Sequence, residues 1–167
     1  MDKSIENSVM KRVKTFEDAC NELGNEHPYV IQYKEIYESF LEGGNKKDIG
    51  DLVAYMKLRI VAAALNEGWK PKYTEEEYRW YPWFNLYTKE EVSQMSEEEK
   101  NSKKLLILRG ECSMVGVSCS YSGSSDAPFS VPCHSYKTEE LAIYAGQQFI
   151  GIYAEFLFGA LIQNNFK

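Results

Sequence analysis

The chain has 167 residues, 44% of them hydrophobic and 26% charged, with a net charge of −6. That length suits one compact domain with a real core and is short for two. The acidic balance speaks against a wide grip on nucleic-acid backbone, which needs a basic footprint, but leaves room for a local pocket that takes a small anion.

The first 14 residues are polar and are expected to fray as a flexible N-terminus. Met-Asp-Lys-Ser-Ile-Glu-Asn lacks the apolar core of a signal peptide, and no apolar run reaches the ~18 residues of a membrane span. A cytoplasmic location with no membrane partner is therefore expected. The single domain is expected over 15–167.

Thr15 precedes Phe16, and Asp18 stands three residues on, a capping box with Asp in place of Glu. A short helix from Phe16 to Leu23 follows, stopped by Gly24. Pro28 suits the first turn of the next helix, which buries Val30, Tyr33, Ile36, Tyr37, Phe40 and Leu41 at three- and four-residue steps. A longer helix is predicted from Asp48 to Asn66, with Leu52, Val53, Met56, Ile60, Ala63 and Ala64 as its buried stripe. Gly68 and Pro71 end it.

Six of the ten residues from Tyr78 to Tyr87 are aromatic. They read as a strand with Trp80, Pro82, Phe84 and Leu86 on one face and Tyr81, Trp83 and Asn85 on the other. Pro82 argues for an edge or a bulge. Residues 88–103 carry the runs Lys89-Glu90-Glu91 and Glu97-Glu98-Glu99-Lys100, expected as a mobile, solvated excursion with one helical turn at most. Leu105 to Leu108 and Val115 to Tyr121 read as strands, Ser122 to Asp126 as a turn, and Phe129 to Cys133 as a weaker strand. Thr138 then caps one long helix, whose apolar stripe runs Leu141, Tyr144, Ala145, Phe149, Ile152, Tyr153, Phe156, Leu157, Ala160 and Leu161. The fold class is α+β: an antiparallel meander of three to four strands, packed against N-terminal helices and a long C-terminal helix.

Several segments together resemble a family of small proteins encoded by phages and mobile elements of gut Bacteroidetes. They are Phe16 to Cys20, Ala63 to Pro71, Tyr81-Pro82-Trp83-Phe84 and Glu140 to Phe149. The resemblance spans residues 15–158, except that 87–136 departs from the pattern. It implies a phage-type protein acting inside a bacterial cell and carries no catalytic residues with it.

Candidate chemistry is sparse. Cys20, Cys112, Cys119 and Cys133 read as buried structural thiols in a reducing compartment, with no metal or other cofactor expected. A zinc set of Cys112, Cys119, Cys133 and His134 is the alternative, but it lacks a CxxC knuckle. Adjacent Cys133 and His134 would point to opposite faces of a strand and cannot form a nucleophile–base pair directly. Ser122 to Ser125 has no lysine at P-loop spacing.

The aromatic strand carries the functional expectation. Trp80, Tyr81, Trp83 and Tyr121 with the cations Arg79 and Lys104 could stack a base and hold a phosphate. The bland alternative is that Trp80, Tyr81, Trp83 and Phe84 only bury the helices' apolar stripes. The expected function is non-catalytic binding: sequestration of a small nucleotide-like molecule such as a host-defence signal, with a homo-oligomer expected. The alternative is a protein-interaction module that blocks a host protein or serves in a phage particle.

Overall fold

The computed structural model describes residues 9–42, 50–72, 74, 76–103, 105–107, 112–122 and 134–158. The elements, in order, are α1 (Phe16–Leu23), α2 (Pro28–Glu42), α3 (Gly50–Asn66), β1 (Arg79–Thr88), α4 (Lys89–Gln94), α5 (Glu97–Ser102), β2 (Leu106–Ile107), β3 (Cys112–Ser122), α6 (Glu139–Gln148) and α7 (Ile150–Phe158). The chain is α+β, as its patterning predicts.

Local chemistry sets most of the helix ends. At α1 the Thr15 side chain accepts from the Asp18 N–H at 3.1 Å, and the Asp18 carboxylate accepts from the Thr15 N–H at 2.9 Å. Gly24 closes that helix at φ 85°, a left-handed backbone that L side chains rarely adopt. Thr138 caps α6 through the Leu141 N–H.

The core is built around α3. Leu58, Ile60, Val61 and Leu65 are fully buried there, together with Val30 of α2, Leu141 of α6 and Tyr136. Val9 and Val13 are fully buried in the same core. The Tyr144 hydroxyl donates toward the carbonyls of Met10 and Val13, each at 2.8 Å. Residues 9–14 are thus packed where the sequence reads as a frayed end, because two valines four residues apart join the core and Tyr144 of α6 ties down their backbone.

The sheet departs from the expected meander. Its order is β1-β3-β2, with β3 antiparallel to both neighbours. A meander would place β2 in the middle. Among the described residues the 11-residue β3 takes the central place instead, flanked by β1 and by Leu106–Ile107 of β2. Among the described residues β1 therefore lies at an edge of the sheet. Trp80 and Tyr136 exchange two main-chain hydrogen bonds, at 3.0 and 2.7 Å, on the side of β1 away from β3. Alternate residues of a ladder face opposite edges, so the nitrogen of Pro82 also faces outward, where its missing N–H breaks no ladder bond. The predicted strand at 129–133 and turn at 123–126 lie outside the described residues.

Two further expectations change. The run 88–103 holds two helices rather than one turn, and both start with a capping box: Thr88 with Glu91, and Ser96 with Glu99. Four reciprocal bonds of 2.7–3.2 Å tie these starts down. The single long C-terminal helix is broken at Phe149, where the backbone turns to φ −111°, ψ 23°. Gly146 and Gly151 flank the break, and glycine weakens a helix interior by about 1 kcal/mol relative to alanine. The break changes partners: α6 packs on β1 and β3, whereas α7 packs on α3.

Candidate functional site

Where α7 leaves the sheet, a cleft of about 230 Å³ opens between it and β1. Tyr81, Pro82, Trp83 and Phe84 form one wall, Tyr153, Phe156 and Leu157 the other, and His134 closes it. Strand periodicity explains the first wall. Pro82 is buried and Phe84 half-buried toward the core, with the Phe84 ring 5.0 Å from that of Tyr153, while Trp83 is 52% exposed.

The second wall depends on the break at Phe149. The Tyr153 hydroxyl meets that of Tyr136 at 2.9 Å, both side chains being buried. Loss of water pushes both phenols well above their ordinary range, so both stay neutral and one donates to the other.

His134 brings an imidazole to this cleft. It is 5% exposed, with its ring 5.0 Å from Tyr55 and 5.8 Å, edge-on, from Phe156. Desolvation lowers its pKa to about 4, and the positive charge of Arg59 acts in the same direction. The Tyr55 main chain hydrogen-bonds the imidazole and opposes the shift. Nε2 is buried and has no hydrogen-bond partner among the described residues. A carbonyl accepts, so the nitrogen facing Tyr55 carries the proton, and Nε2 is left as a bare acceptor.

The residues singled out from the sequence divide. Tyr81 and Trp83 line the cleft. Trp80 packs against the main core, as the bland reading has it. Arg79 is 3% exposed, with Nη1 3.8 Å from a Glu77 carboxylate that also accepts from the Lys72 N–H; it does not line the cleft. Tyr121 lies in β3 opposite Trp80. Lys104 lies outside the described residues, as does Cys133 of the alternative zinc set.

Sequence reasoning missed His134, Tyr153, Phe156 and Leu157 as cleft residues. The three on α7 were visible as an apolar stripe, but an unbroken helix would have buried them together. His134 carried no local signal beyond its neighbour Cys133.

The cleft can hold a flat apolar body against Trp83 and Tyr81 and accept one hydrogen bond at His134. Among the described residues no Lys or Arg lines it, so it offers nothing for a phosphate. No protein-family model, curated protein or solved structure matches this chain.

Proposed function

We propose that this protein binds a small molecule without converting it, and that the cleft between β1 and α7 takes a flat, uncharged group of about the size of a nucleobase. The observation that carries this reading is the buried Nε2 of His134, without a partner among the described residues, in an aromatic cleft. Buried polar atoms nearly always have a partner, and one left without it in a cleft invites a ligand N–H or O–H. Trp83 supplies the stacking face, because it is half exposed without a ligand. Sequestration inside a bacterial cell, for instance of a nucleotide-like defence signal, draws its support from the resemblance to phage proteins. Such a ligand would place its base here and its phosphate elsewhere.

Native mass spectrometry of the protein purified from a bacterial host tests this. A released small molecule that Trp83→Ala loses, with an unchanged circular dichroism spectrum, is the expected result. An empty protein, or a ligand that Trp83→Ala retains, would sink the reading.

A second reading has its own observation. Tyr78, Trp83, Leu86 and Leu157 are large apolar side chains exposed at 57, 52, 47 and 48%, on or beside an edge strand. Such a surface suits a protein partner or a second copy of this chain. Replacing Leu86, which does not line the cleft, by lysine would then abolish a complex, or reduce the mass by light scattering, while leaving small-molecule binding at Trp83 intact.

A further inference from the structure

The residue next to His134, Ser135, lines a second and larger cleft of about 620 Å³. The aromatic site makes no use of it. It lies between the start of α2 and the last turns of α3, and the chain after α3 covers it. Glu67 and Gly68 take positive φ values of 47° and 83°, which reverse the chain. The Trp69 N–H then donates to the Asn66 carbonyl at 2.9 Å, and Trp69 and Lys70 become part of the wall. The buried Asn66 side chain fixes the opposite side. Its Nδ2 donates to the Ser135 carbonyl at 2.9 Å, and its Oδ1 accepts from the Lys137 N–H at 3.1 Å.

The charge of this cleft is one-sided. Arg59, Lys70 and His27 line it, and among the described residues no Asp or Glu does. This occurs in a chain with 25 acidic and 19 basic residues. Arg59 and Lys70 make no ion pair among the described residues. The acid beside the wall, Glu67, is already held by Arg12 at 3.0 Å and Lys137 at 3.5 Å.

The donors are also oriented. The Arg59 guanidinium lies 4.1 Å from the centre of the Tyr29 ring. Stacking occupies its face and leaves its in-plane N–H groups for a forked contact with an oxyanion. His27 Nδ1 accepts from the Tyr29 N–H at 3.2 Å, so in the neutral ring Nε2 carries the proton and is a donor. Trp69 adds a flat apolar surface to the same wall.

We propose that this cleft is a second binding site, for a flat organic anion of the size of a nucleoside monophosphate, with Arg59 and Lys70 on the anionic group and Trp69 on the ring. The volume lies within the ~300–1,000 Å³ typical of small-molecule sites. The proposal is independent of the aromatic cleft and stands or falls without it.

The test is a titration of the ¹⁵N-labelled protein with AMP, and separately with adenosine, reading the Trp69 indole N–H and the Gly68 amide. AMP is expected to move both signals, and adenosine to bind about tenfold more weakly or worse, because it lacks the charge. Arg59→Gln should weaken AMP about tenfold. Lys70→Gln, at an exposed position where the fold is not at stake, should weaken it severalfold. The reading is confined to Trp69 and Gly68, because the aromatic cleft can itself take an adenine ring against Trp83. Silence with about 10 mM AMP, tenfold above a Kd of about 1 mM, would overturn the proposal. So would equal binding of AMP and adenosine, or wild-type affinity in the Lys70 variant.

Discussion

Two clefts meet on one short segment: His134 lines the aromatic cleft and Ser135 the cationic one. They differ in what water does to charge. In the small cleft, rings on both sides hold water off His134, and its imidazole is driven to the neutral form. In the large cleft, Arg59 is half-buried and Lys70 exposed, so solvent still supports two cations without a carboxylate. A narrow apolar cleft thus selects for uncharged matter, and a wide one can keep a charge ready for an anion.

The widest break in this comparison is Asn66→Ala, since Asn66 anchors the segment that both clefts share. It leaves the Ser135 carbonyl and the Lys137 N–H without their side-chain partner. At ~1–3 kcal/mol for each buried group left unpaired, destabilisation on the order of 4 kcal/mol is expected in urea unfolding. Both clefts should lose their shape together. If only one does, the segment is not their common support.

Acid separates the clefts. His134 has a folded pKa of about 4 against an ordinary 6.5, so between these values the unfolded state binds more protons. Stability is expected to be full above pH 6.5 and to fall as pH drops toward 4, by about 3 kcal/mol at 1.36 kcal/mol per unit. His134→Phe should flatten that slope between pH 6.5 and 5. Unchanged acid sensitivity in the variant would show that the imidazole is not held neutral.

Trp83→Ala should do the reverse of Asn66→Ala. With Trp83 half exposed, stability should fall by only about 1–2 kcal/mol, less than for a buried aromatic, while any ligand of the aromatic cleft is lost. A large loss of stability would return Trp83 to the core. The smallest effect tests the coupling between the clefts. Arg59 disfavours the His134 imidazolium, so Arg59→Gln should move the imidazole titration upward in an NMR pH series. No shift would mean that the clefts are electrically separate, and a downward one that Arg59 acts on the imidazole with the opposite sign.

Legibility in the sequence follows the range of the interaction. Thr15 with Asp18 and Gly24 at the end of α1 were readable because cap chemistry acts within four residues. Thr88 with Glu91 and Ser96 with Glu99 were equally readable as boxes, but charge density made them look like solvated coil. Arg79 looked like an exposed cation beside stacking rings. It is buried near Glu77, a pairing that strand alternation alone does not reveal.

By itself the sequence determined the α+β class, the α1 boundaries and the aromatic character of β1, and it narrowed Pro82 to an edge or a bulge. Each depends on neighbours a few residues apart. Only the tertiary structure decided that β3 is central and that the last helix breaks at Phe149. It also decided that His134 is caught between Tyr55 and Phe156, and that Arg59, Trp69 and Lys70 share a wall without a carboxylate. Those outcomes depend on which distant surfaces exclude water from one another, and residue spacing along the chain does not encode that directly.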